Sequence, residues 1–254
     1  MQYKRIFLFG CSWTAHHWPT WANIIKYSTT NIPVEIWARG GIGNVGIFHR
    51  MVECNLKNKF TADDLIIVQW SSWTREDRYN KQWITYGNVL NNPFYDQKFI
   101  RKYWSWDNDI IKNCTAIISA ETMFNIAYHT SMTSLENPTE KDVRFVDDNL
   151  EELYKFYVKN LPTIEEFPNH INKQFNNTCC DNHPDIETHL YFYENILRKN
   201  FPFLPECKCR DELLLLSDKI SKSVTKNMSH DETGKIILKL SYEFDPYLHT
   251  KIGF

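Results

Sequence analysis

The first apolar residues form a short β-like run, Ile6-Phe7-Leu8-Phe9, that stops at Gly10. Beyond a polar and aromatic turn containing Pro19-Thr20, Trp18, Trp21, Ile24 and Ile25 fall at helical spacing in a stretch that ends at Tyr27. The alternation then repeats. Val34 to Ala38 is a second strand-like run that empties into Arg39-Gly40-Gly41-Ile42-Gly43-Asn44, and Val45 to Asn55 carries apolar residues at 47, 48, 51 and 52, again helical. Leu65-Ile66-Ile67-Val68-Gln69-Trp70 is nearly continuous, as expected of a strand covered on both faces of a parallel sheet. These units predict an α/β fold, a three-layer α/β/α sandwich around a mainly parallel sheet, with ligands gathering at the carboxyl ends of the strands.

After Arg75 the pattern changes. Tyr79 to Trp106 is rich in Tyr, Trp and Asn, and amphipathic stretches follow at roughly 108–128 and 144–160, broken by Asn137-Pro138 and Pro162. Asp185 to Lys199 reads as a further helix opened by His183-Pro184, and 211–243 holds one or two amphipathic helices. The organisation predicted is a domain over 1–200 with a helical, aromatic insertion at about 76–170, and a helical carboxyl-terminal extension over 201–254.

Composition narrows the function classes. The 254 residues are 43% apolar and 24% charged with a net charge of −2, so there is a core to bury but no basic footprint for nucleic acid. Apolar runs such as Leu65 to Val68 and Leu213 to Leu216 fall far short of the roughly 20 residues that span a bilayer. Ile6 to Phe9 is likewise too short for the apolar region of a secretory signal, which makes the cytoplasm the expected compartment. Seven cysteines, an odd and sparse set, point to reduced thiols. A zinc site built from Cys179, Cys180, His183, Cys207 and Cys209 is disfavoured, because Cys-Cys and Cys-x-Cys are poor chelating spacings. The adjacent pair His16-His17 reads as surface. Of only 8 glycines, five are Gly10, Gly40, Gly41, Gly43 and Gly46, concentrating backbone freedom in two early turns.

Ser12, in Gly10-Cys11-Ser12-Trp13, sits on the first strand-to-helix turn, where a hydroxyl faces the mouth of the sheet. A serine there is either a turn residue or a nucleophile, and as a nucleophile it needs a base and a group to orient that base. Asp181-Asn182-His183-Pro184 presents an acid and an imidazole on one stiffened loop.

Together these blocks resemble the SGNH (GDSL-like) hydrolase superfamily, over roughly 1–75 and 175–200. Phe9-Gly10-Cys11-Ser12-Trp13-Thr14 looks like its first block, with Cys11 in place of the usual Asp. Ser12 is thereby implied as nucleophile and first oxyanion-hole amide. Ala38 to Asn44 resembles the second block, with Gly41 aligned to the oxyanion glycine ahead of Gly43. Asp181 and His183 resemble the Asp and His of the fifth block at a spacing one residue shorter, and the later His189 also fits short forms of it.

The third block departs from the family: Val68-Gln69-Trp70-Ser71-Ser72 stands where Gly-x-Asn-Asp is usual, leaving Ser71 as the oxyanion donor. Loss of one such donor costs on the order of 100-fold in rate. Trp-Ser-Ser-x-x-Arg, ending at Arg75, resembles phage- and polysaccharide-associated members, which would make the chain virion- or host-cell-associated if phage-encoded.

The resemblance implies a serine esterase in which His183 deprotonates Ser12, Asp181 orients His183, and neither metal nor other cofactor is required. Trp13, Asn44, Trp70, Trp73 and Arg75 are the expected substrate contacts. The aromatic set suits the rings of a carbohydrate ester such as an O-acetylated sugar, or packs the core. Arg75 meets an acidic group on the substrate or pairs with Glu76 or Asp77. Two other classes remain open at this point. One is a catalytically impaired carbohydrate-binding protein. The other is a structural protein of a phage or surface-polysaccharide system, self-associating or docking through the helices at 211–243.

Overall fold

A computed structural model describes residues 3–29, 31–90, 95–132, 183–224 and 228–248. Its centre is a four-stranded parallel sheet of β1 (Arg5–Gly10), β2 (Val34–Ala38), β3 (Asp64–Trp70) and β6 (Ala127–Ser131), in the order β2-β1-β3-β6. Phe9 stands opposite Trp37 on one side and Val68 on the other, while Trp70 stands opposite Ser131. All four strands therefore open onto the same edge.

Alternate residues of each central strand enter different layers, as the two-residue period of a strand requires. Ile6, Leu8, Leu65 and Ile67 pack against α1 (Trp21–Ser28) and the carboxyl-terminal helices. Phe7, Phe9, Ile66 and Val68 face α2 (Asn44–Asn58) and α4 (Trp106–Met123), meeting Ile47, Met51, Ile110 and Ile117. Both faces are covered, so the sandwich has the three layers that the uninterrupted apolar runs predict. Each such fully buried side chain contributes about 1.5–3 kcal/mol.

Two elements differ from the sequence expectation. Residues 75–88 form an antiparallel hairpin, β4 (Arg75–Asn80) and β5 (Gln82–Asn88), turning at Lys81 with φ of 62°. The stretch read as one helix over 108–128 is α4 and then β6, because Phe124 closes the helix with its N–H on the Ala120 carbonyl and the chain re-enters the sheet at Ala127. A short helix, α3 (Gln97–Tyr103), precedes α4. The expected helix at 144–160 lies outside the described residues.

The last described part begins with α5 (Ile186–Phe192), which continues through a π turn, Tyr193–Leu197, to a final turn at Arg198–Asn200. It is followed by α6 (Arg210–Ser223) and α7 (His230–Phe244). Leu213, Leu216, Ile220 and Ile237 share one apolar cluster with Ile6, Leu8 and Trp21, and Tyr27 donates its hydroxyl to Asp245 at 2.8 Å. No helix among the described residues is long and apolar enough to cross a membrane.

Candidate active site

The β1–α1 loop carries Ser12 and is built around one buried amide. Gln69 Oε1, fully buried in β3, accepts the Thr14 hydroxyl at 2.9 Å and the Trp21 indole N–H at 3.0 Å. Gly10 has to be glycine here, because a Cβ would collide with the Thr14 side chain and lie 3.1 Å from the Gln69 carbonyl. Thr20 donates its hydroxyl to the Thr14 carbonyl, and its backbone N–H goes to Asn23 Oδ1 at 3.0 Å, so the loop closes as α1 begins. These contacts fix where Ser12 stands. The residue is 6% exposed.

The glycine loop after β2 comes to the same place. Arg39 donates its N–H to the Gly10 carbonyl at 3.1 Å, and the Cβ direction of Gly40 points to the Ser12 Cβ at 3.9 Å. Gly41 has φ of 76°, in the left-handed region that favours glycine. The hairpin supports this loop from outside. Gly87 donates its N–H to the Gly41 carbonyl at 3.1 Å, while the Asp77 carboxylate accepts the N–H groups of Gly43 and Gly46 at the start of α2. Burial pushes the Asp77 carboxyl up to about 6, although those amides and nearby Arg75 oppose the rise. A side chain at Gly43 or Gly46 would run into Arg75 or Asp77, which explains two of the clustered glycines.

His183 arrives from the far end of the chain. Its ring stacks on His16, with centroids 4.0 Å apart and planes 12° apart, and His16 in turn meets Trp18 edge-on at 4.2 Å. Trp18 donates its indole N–H to the Pro184 carbonyl at 2.9 Å, tying the two loops together. Asp185 then opens α5 by accepting the Thr188 N–H at 2.6 Å. His189 lies beneath this pair, fully buried, with neither ring nitrogen hydrogen-bonded among the described residues. Burial, reinforced by His16 and His183, holds its pKa well below the ordinary imidazole range, so His189 is neutral.

His16, expected from sequence at the surface, is instead half-buried against His183. Only His17 of that pair is exposed. The signal available was its position four residues after Ser12.

Several expected contacts have other partners. Ser71 is fully buried, its N–H donates to Asn44 Oδ1 at 2.6 Å, and its hydroxyl is directed at Met132 Sδ at 3.6 Å. Asn44 is occupied on both sides, since its amide also donates to the Ser71 carbonyl and to Asn113 Oδ1. Trp70 is buried with its indole N–H on His129 Nδ1 at 3.0 Å, and Trp73 is 6% exposed, its carbonyl accepting from Asn113. Ser71 and Trp73 thereby fasten the β3 loop to α2 and α4 through Asn44 and Asn113, and Trp70 is tied to β6 through His129. Arg75 directs a guanidinium N–H at the Ile42 carbonyl at 3.5 Å. Trp13 is half-buried beside Ser12 and packs on both apolar layers. Asp181, Cys179 and Cys180 lie outside the described residues. No group of three or more potential metal ligands is assembled among the described residues.

No family model and no curated protein matches the chain. Among solved structures it is similar to that of a member of the lipolytic protein G-D-S-L family from Veillonella parvula DSM 2008. Identity is 15% and the TM-score 0.43, over 79% of this chain and 99% of that one. A likeness of that extent leaves the activity to be argued from this chain's own residues.

Proposed function

We propose that the protein is a serine acyl hydrolase of the SGNH type acting on a small O-acyl ester, with Ser12 as nucleophile and His183 as base. The observation that carries this reading is the stacking of His183 on His16, which brings an imidazole from residue 183 onto the loop that holds Ser12. In the proposed reaction His183 takes the Ser12 proton as the hydroxyl oxygen attacks the ester carbonyl carbon. The tetrahedral oxyanion is held by the backbone amides of Ser12 and Gly41. On collapse the alcohol leaves with the proton from His183, and water, deprotonated by the same imidazole, releases the acid. Asp181 is assigned the orientation of His183.

The low exposure of Ser12 favours a small acyl group such as acetyl, and Trp13 beside it offers an aromatic face for a sugar ring. A second reading has a specific observation behind it. Both hydrogen-bond donors of Ser71 are directed at partners inside the protein, which leaves the oxyanion with backbone donors only and suits a slow enzyme or a binding protein.

Hydrolysis of p-nitrophenyl acetate by the wild type and Ser12→Ala, with mass spectrometry after a fluorophosphonate probe, separates the two readings. An adduct on Ser12 and loss of turnover in the variant is the outcome expected of the hydrolase. Equal rates with no adduct would leave the binding reading.

A further inference from the structure

Two of the seven cysteines meet at the opposite end of the sheet from Ser12. Cys207 and Cys209 flank Lys208 in the connection between α5 and α6, are each half-buried, and bring their sulfurs to 3.9 Å. Cys11, Cys54 and Cys114, by contrast, are buried separately in the core. The pair is framed rather than loose. Tyr193 in the π turn donates its hydroxyl to the Pro205 carbonyl at 2.6 Å, Arg210 meets Glu194 at 3.1 Å, and Cys209 is the residue from which the 14-residue α6 starts. Pro205 and Lys208, on either side of Cys207 in sequence, line a cavity of about 290 Å³ shared with Tyr3, Ile32 and Phe203, although neither cysteine lines it.

We propose that Cys207 and Cys209 form a dithiol site that undergoes exchange with small-molecule disulfides, Cys207 attacking and Cys209 resolving. The two sulfurs have different surroundings. Cys207 shares with the Cys209 thiol a hydrogen bond in which either sulfur can donate, and has the Cys209 backbone N–H and Ser28 beside it, and together these outweigh burial and Glu194 to bring Cys207 down to about 7. Cys209, facing the Cys207 sulfur and Glu212 and partly desolvated, is pushed up. The thiolate is the reacting form, so the first step belongs to Cys207.

In that step Cys207 Sγ bonds to one sulfur of the disulfide RSSR, the S–S bond of RSSR breaks, and RS⁻ leaves. Cys209 then loses its proton and bonds to Cys207 Sγ, expelling the second RS⁻. The dithiol is oxidised by two electrons to a disulfide, and RSSR is reduced to two RSH once protons are taken up.

The test is to incubate the full chain with oxidised glutathione, alkylate the remaining thiols, digest with trypsin and identify the linked peptides. Cleavage after Lys208 separates the two cysteines, so a Cys207–Cys209 bond joins two peptides and is read directly. In Cys209→Ser the mixed glutathione disulfide should accumulate on Cys207, whereas Cys207→Ser should react at Cys209 at least about tenfold more slowly near pH 7. Equal reactivity of the two single variants would overturn the assignment of roles. Linkage of either residue to Cys179 or Cys180, or full alkylation of both after the incubation, would overturn the site. Circular dichroism of each variant before treatment distinguishes these results from a failure to fold.

Discussion

The two ends of the central sheet are held together in different ways. At the carboxyl end, side-chain amides, hydroxyls and one carboxylate do the joining: Gln69 latches Thr14 and Trp21, Asn44 clamps Ser71 to Asn113, and the Asp77 carboxylate ties the hairpin to the start of α2. At the amino end the join is ionic. Arg5 meets Asp64 through two hydrogen bonds at 2.8 and 2.7 Å, and Asp64 also accepts the Thr61 N–H. Neutral, directional hydrogen bonds to Gln69 hold the loop that carries Ser12, while a charge pair fastens the start of β1 to the start of β3. The difference teaches that the carboxyl end is built for position and the amino end for cohesion.

Breaking the carboxyl-end latch should have the largest effect. Gly10→Ala forces a Cβ into Thr14 and is expected to cost about 3 kcal/mol and most of the turnover, read by urea unfolding and ester hydrolysis. Gln69→Leu strands the Thr14 hydroxyl and the Trp21 N–H, two buried donors, at about 2–4 kcal/mol. Its rate should fall by about tenfold or more because the Ser12 loop loses its anchor. Asp64→Ala should cost about 1–3 kcal/mol, since Arg5 remains partly solvated, yet leave turnover unchanged. If Asp64→Ala and Gln69→Leu reduce turnover equally, the contrast between the two ends fails.

The smallest effect concerns acid. Burial lowers His129 from 6.5 to about 4, and its Nδ1 accepts the Trp70 N–H, which requires a neutral ring. A base whose pKa is depressed by folding contributes stability above its ordinary value, and that contribution is lost as the pH falls from 6.5 towards 4. Asp77 and Asp109, both raised to about 6 by burial, act in the opposite sense, because protonation relieves their desolvation. The contribution of His129 is therefore best read as a difference. Between pH 7 and 5, His129→Gln should lose about 1–2 kcal/mol less stability than the wild type in denaturant titrations.

Much of the sheet can be read from local pattern. β1, β2 and β3 are short apolar runs bounded by Gly, Pro or polar turns, and their burial on both faces leaves no other use for them. β6 is not legible, because Ala127-Tyr128-His129-Thr130-Ser131 is only partly apolar and follows directly on a helix whose amphipathic spacing continues into it. The β4–β5 hairpin is hidden for a related reason: Arg75-Glu76-Asp77-Arg78 is a charged strand, and Asp77 bonds to backbone amides of a distant loop. Within the site, Ser12 and the glycine turn could be placed from spacing alone. The stacking of His16 on His183 and the pairing of Asn44 with Ser71 could not, since each joins residues far apart along the chain through contacts that leave no local trace.

The two apolar layers also differ in when they can be completed as the chain leaves the ribosome. Among the described residues, the layer under α2 and α4 uses none later than Met132, so that much of it can close while the rest of the protein is still being made. The other layer covers Ile6, Leu8, Leu65 and Ile67 with side chains as late as Ile237, which leaves half of the sheet uncovered until almost the whole chain has emerged. A nascent chain of this protein carries a sticky sheet face for most of its synthesis, and premature termination anywhere before α6 would leave that face to chaperones or aggregation.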